Sequence, residues 1–122
     1  MTVFKSPTCG CCANWVEHMK KAGFVLTVND VPNMSEVKAA NHVPPDLASC
    51  HTALVNGYVI EGHVPADVIS KLLAERPAGV KGLAVAGMPM GSPGMEGDGS
   101  RKDHYTVMAF GIDGSAREYA SR

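Results

Sequence analysis

Val3-Phe4-Lys5-Ser6-Pro7-Thr8-Cys9-Gly10-Cys11-Cys12 joins a short apolar strand to a turn and then to a run of thiols. Beyond it, Trp15, Val16, Met19 and Ala22 recur on one helical face, and Gly23 supplies the stop. The thiols therefore stand where a helix begins. Helix-end N–H groups and the helix dipole favour thiolate over thiol at such a place. A thiolate is both a nucleophile and a soft-metal ligand, so this run either shuttles electrons or holds metal.

Outward from it, Phe24-Val25-Leu26-Thr27-Val28 reads as a second strand. Asn33-Met34-Ser35-Glu36 resembles a capping box, opening a helix that runs to about His42 before Pro44 and Pro45. Asn56-Gly57 lies between Ala53-Leu54-Val55 and Tyr58-Val59-Ile60-Glu61, a strong hairpin signal. Pro65 at a first helical position, with Val68, Ile69, Leu72 and Leu73 on one face, opens a third helix that Pro77 ends. The order β-α-β-α-β-β-α, with a crossover helix after the first strand and a hairpin at the other edge, predicts an α/β, thioredoxin-like core over about residues 1–77.

The last third differs. Residues 79–103 form a segment rich in Met, Gly and Pro, including Gly87-Met88-Pro89-Met90-Gly91-Ser92-Pro93-Gly94-Met95. From Gly79 to Gly99 neither a helix nor a central strand is expected. Residues 104–120 read as an appended C-terminal β-hairpin, with Tyr105–Phe110 alternating, Asp113-Gly114 turning, and Arg117-Glu118-Tyr119 returning. The 122 residues are expected to form a single domain.

Composition excludes several classes. A formal net charge of −1 gives no electrostatic footprint for nucleic acid or an anionic membrane. No apolar run approaches the roughly 18 residues of a membrane span. Strand-like residues begin at Thr2, so no signal peptide is expected in this chain; it reads as cytosolic, or as a mature form without its leader. Three of the four cysteines lie within four residues, which argues for chemistry rather than a disulfide framework.

Cys9 and Cys12 have the C-x-x-C spacing of thiol–disulfide exchangers, and an oxidoreductase using that pair is one reading. Cys11 is unnecessary for that chemistry but adds a donor for metal. In a thioredoxin-like fold the segment before the hairpin runs beside the C-x-x-C loop, where a cis-proline is usual. Here it reads Ser49-Cys50-His51-Thr52. Cys50 is thus expected to converge on Cys9, Cys11 and Cys12, with His51 as a ligand or supporting group. Four thiolates and an imidazole suit Cu(I) or Zn(II). Met88, Met90 and Met95 favour Cu(I), because thioethers are soft, neutral donors. A structural zinc site is a third, weaker reading. Trp15, Met19 and Met108 read as core. His18, His42, His63 and His104 read as surface or capping residues without a site role.

Cys9-Gly10-Cys11-Cys12, Ser49-Cys50-His51-Thr52-Ala53, the run from Tyr58 to Pro65 and the segment from Gly87 to Met95 together resemble the CopG-type copper-resistance family. The resemblance spans nearly the whole chain. It implies a thioredoxin-like fold, a periplasmic setting in bacteria, and copper held by Cys9, Cys11, Cys12 and Cys50 as a multinuclear cluster. It also implies a role in sequestration, transfer to a periplasmic copper-handling partner, or redox conversion of copper.

Overall fold

The computed structural model describes residues 1–7, 9–86, 92–93 and 104–122, with every side chain among them except that of Cys11. The elements run β1 (Thr2–Lys5), α1 (Gly10–Lys21), β2 (Thr27–Asp30), α2 (Met34–Ala40), a 3-10 turn (Pro45–Leu47), β3 (His51–Val55), β4 (Tyr58–Glu61), α3 (Ala66–Glu75), β5 (Gly82–Ala84), β6 (Thr106–Phe110) and β7 (Ala116–Ser121). This is a mixed α/β arrangement around one seven-stranded sheet, ordered β2-β1-β3-β4-β5-β6-β7. The β1/β2 and β4/β5 pairs are parallel and the others antiparallel.

Local chemistry explains most boundaries. Asn33 caps α2 by accepting the Ser35 N–H at 3.1 Å. Asn33→Ala is expected to destabilise the protein by about 1 kcal/mol, read as a shift in the urea unfolding midpoint. Asn56 and Gly57 both adopt positive φ, 48° and 87°, as a two-residue turn that follows strand twist requires. His18 lies at the end of α1 and accepts the Ala66 N–H at 3.4 Å, satisfying a donor at the start of α3.

One expectation is overturned. The segment Gly79–Gly99 does contain a central strand: β5 lies between β4 and β6. Gly82 faces Val59 so closely that a Cβ there would stand 2.1 Å from the Val59 carbonyl oxygen. A glycine that usually weakens a strand is here what permits the close approach. The C-terminal hairpin therefore continues the sheet through β5. The second strand also begins later than Phe24, and Phe24 and Leu26 instead pack against the core.

The main core gathers Val3, Trp15, Val16 and Met19 with Ile60, Ile69, Leu72, Leu83 and Val107. Trp15 and Met19 are fully buried, and Met108 packs partly buried against a smaller cluster around Phe110. Burial of α1 on this core fixes its first turn, and hence Cys9 and Cys12, relative to the sheet. No helix among the described residues is long and apolar enough to cross a membrane.

Candidate metal centre

Sheet register assembles the site. Lys5, the last residue of β1, pairs with His51, the first of β3. The thiol loop that follows β1 therefore emerges beside Cys50. The turn at Asn56-Gly57 pairs Val55 with Tyr58 and Thr52 with Glu61. Continuing that register sets Cys50 opposite His63. The parallel pair β4/β5 sets Glu61 beside Ala84, within the Met/Gly/Pro-rich segment.

Cys9 precedes the first residue of α1 and is bonded to Cys12 by a disulfide, with a Cα–Cα distance of 5.4 Å. Cys12 is fully buried and Cys9 partly exposed. The sulfurs of Cys9, Cys12 and Cys50 all lie within 4.8 Å of one another. Cys50 Sγ is also 3.0 Å from His63 Nε2 and 3.3 Å from His51 Nδ1. Cys50, His51 and His63 thus form a second donor group that shares its thiol with the first. Cys11 lies in α1, but its side chain, like Met88, Met90 and Met95, lies outside those described.

The expectation that His63 is a surface or capping residue is corrected. His63 is fully buried, and its Nδ1 is 2.5 Å from the Pro93 carbonyl oxygen. A carbonyl only accepts, so Nδ1 carries the proton and Nε2 is turned to the Cys50 sulfur. Pro93 belongs to the Met/Gly/Pro-rich segment, so this hydrogen bond ties that segment to the sulfur site. His51 is equally buried, with Trp15 packed against it at 4.4 Å between ring centroids and the two rings tilted by 44°. Trp15 is itself held by its Nε1–H donating to the Val64 carbonyl at 3.0 Å.

Burial, reinforced by charge coupling to the His63 imidazole and by the Lys38 ammonium, lowers the pKa of His51 from 6.5 to about 3. Unfolding frees His51 to take up a proton near pH 6.5, whereas the folded protein keeps it neutral to about pH 3. Stability contributed by neutral His51 is therefore complete above pH 6.5 and is lost as pH falls toward 3. The slope is at most about 1.4 kcal/mol per pH unit. Urea unfolding of the metal-free protein across that window should show this loss, and His51→Gln should reduce the slope. Equal slopes for the two proteins would contradict the assignment.

Beneath the sulfurs lies a buried charge pair. Glu61 is fully buried and bonded to Lys38 Nζ, whose side chain is 14% exposed. Its carboxylate also accepts the Ser49 N–H at 2.7 Å and the Thr52 hydroxyl at 2.5 Å. The Ser49 bond fixes the backbone immediately before Cys50. Gly62 meets the same strand end: a Cβ there would lie 2.5 Å from the Val85 oxygen and 2.7 Å from Ser49.

Two solved structures, both named copper resistance protein CopG, superpose on this chain with TM-scores of 0.92. Each is 42% identical over 99% of this chain, covering 94% and 95% of the solved chains. The chain belongs to the CopG family. A family profile described as a protein of unknown function, DUF411, matches residues 47–95. That match spans Cys50, His51, Glu61, His63 and the Met/Gly/Pro-rich segment of this CopG-family chain as far as Met95. No curated protein sequence matches.

Proposed function

We propose that this protein binds copper in bacterial metal resistance, holding Cu(I) through Cys9, Cys11, Cys12 and Cys50. The observation that carries the reading is the meeting of three cysteine sulfurs within 4.8 Å in a chain 42% identical to proteins named for copper resistance. Thiolates are soft donors suited to Cu(I). Four sulfurs in one small space are too few to give each of several ions its own set, so thiolates bridge and the copper is multinuclear. Met88, Met90 and Met95 supply thioethers that complete or cover the cluster, and His51 and His63 add imidazoles. The copper is cargo, for sequestration, transfer to a copper-handling partner, or redox conversion. The proposed scaffold is a single thioredoxin-like domain, supported by the order β2-β1-β3-β4 with its parallel first pair. The proposed compartment is the periplasm.

Reduction of the Cys9–Cys12 bond is a precondition, since a disulfide sulfur is no thiolate. Titration of reduced protein with Cu(I) against a competing chelator should give more than one equivalent, and the disulfide form should take up less. Uptake of one equivalent or fewer by reduced protein would refute the cluster.

A second reading rests on the disulfide itself. Cys9 and Cys12 at the start of α1 have the placement a thiol–disulfide oxidoreductase uses. That reading expects metal-free protein to reduce insulin disulfides with turnover. Metal binding without such turnover favours the copper reading.

A further inference from the structure

Helix α2 sits loosely on the sheet. None of its residues is buried, and a cavity of about 300 Å³ opens between it and the 3-10 turn. Ser35, Lys38, Ala39, Val43, Pro45 and Ala48 line that cavity. Lys38 ties the helix to the sheet: its ammonium donates to the Glu61 carboxylate and to the Thr52 hydroxyl, the latter at 3.2 Å. We propose that this cavity binds a small neutral molecule carrying one carbonyl group on an apolar body, an inference that stands apart from the copper reading.

Three observations carry it. First, the space is adequate. About 300 Å³ lies at the lower end of ligand pockets and holds about ten water-sized groups. Second, the lining is of the kind that binds small molecules, mostly apolar with a few polar groups. Ala39, Val43, Pro45 and Ala48 supply the apolar wall. Ser35 and Lys38 stand three residues apart on α2, and residues so spaced are neighbours on a helix surface. Third, Lys38 has a donor to spare. An ammonium has three N–H groups, and among the described residues Glu61 and Thr52 take two. The Lys38 side chain is only 14% exposed, so bulk water has limited access to the third. A carbonyl oxygen in the cavity accepts it, and the exposed Ser35 hydroxyl offers a further hydrogen bond at the rim.

The charges choose a neutral occupant. Lys38 and Glu61 already neutralise each other. A carboxylate brought to Lys38 would stand beside the Glu61 carboxylate, and like charges repel strongly where water is partly excluded. An ammonium would meet the charge of Lys38, while the Glu61 oxygens are already engaged by Lys38, the Ser49 N–H and the Thr52 hydroxyl. A neutral carbonyl takes the spare N–H without either cost, and its apolar body covers wall that α2 leaves open to water.

The test is titration of the ¹⁵N-labelled full chain with hexanamide, read by amide chemical shifts, with hexanoate and hexylammonium as charged counterparts. The expected result is saturable shifts confined to Ser35, Lys38, Ala39, Val43 and Ala48, with a dissociation constant on the order of 1 mM, as befits so small a molecule. Both charged counterparts should bind at least about tenfold more weakly. Ala39→Leu places a good helix former at an exposed helix position and fills the cavity mouth. It should abolish the saturable shifts and leave the urea unfolding midpoint near that of wild type. The charge series is read on wild-type protein, so a misfolded variant does not decide the matter. Shifts that fail to saturate, that scatter over the surface, or that persist in folded Ala39→Leu overturn the site. Hexanoate or hexylammonium binding as tightly as hexanamide overturns the assignment of a neutral ligand.

Discussion

Lys38→Met should destabilise the protein by about 3–5 kcal/mol, the usual cost of leaving one member of a buried ion pair alone. Methionine retains most of the apolar stem but removes the ammonium. Glu61, fully buried, then keeps, among the described residues, the Ser49 N–H and the Thr52 hydroxyl as donors. Its carboxylate must be protonated or drawn toward water, and either response disturbs the backbone at Ser49. Urea unfolding measures the loss, and a change below about 1 kcal/mol would mean the pair is effectively solvated. The double variant Lys38→Met with Glu61→Gln should recover much of the stability, since neither partner is then a lone charge. Failure to recover would place the cost in packing of the lysine stem.

The second large effect belongs to Cys50. Cys50→Ser should lower the number of Cu(I) ions bound by reduced protein, rather than only their affinity. Cys50 is the thiol on the sheet side of the site, facing sulfurs that both come from the start of α1. Without it, bridging depends on thiols of one short loop. Serine is nearly isosteric but presents a hard oxygen, which Cu(I) disfavours. Stoichiometry by chelator competition reads the result, with circular dichroism to establish that the variant folds. Equal stoichiometry in wild type and variant would show that Cys50 is not part of the copper site.

Much of this arrangement is legible in the chain. The apolar face of α1, the Asn33 cap and the Asn56-Gly57 turn are local signals, and each acts within a few residues of where it is read. β5 is not legible in the same way. It is three residues long, begins with glycine and lies in a stretch dominated by turn-forming residues. It is a strand because β4 and β6 enclose it, and no local propensity reports that. β2 shifted for a related reason: Phe24 and Leu26 satisfy the core without joining the ladder, while polar Asn29 and Asp30 pair with Phe4 and Lys5.

Within the site, Cys50 is legible in the element order, and the position of His63 is legible in the hairpin register. A two-residue turn at Asn56-Gly57 fixes the register of both strands, and that register sets His63 opposite Cys50. The imidazole's partners are Cys50 and Pro93, both distant in sequence, so nothing adjacent to His63 reports its burial. The Cys50–His51–His63 group thus follows from turn geometry rather than from any cysteine or histidine spacing motif.

The most direct test of the copper reading is X-ray absorption at the copper edge on reduced protein loaded with Cu(I). Bridging by Cys9, Cys11, Cys12 and Cys50 should give a first shell dominated by sulfur and a resolved copper–copper scattering path, both diminished in Cys50→Ser. A first shell of nitrogen and oxygen, or sulfur ligation with no copper–copper path at full loading, would contradict a thiolate-bridged cluster.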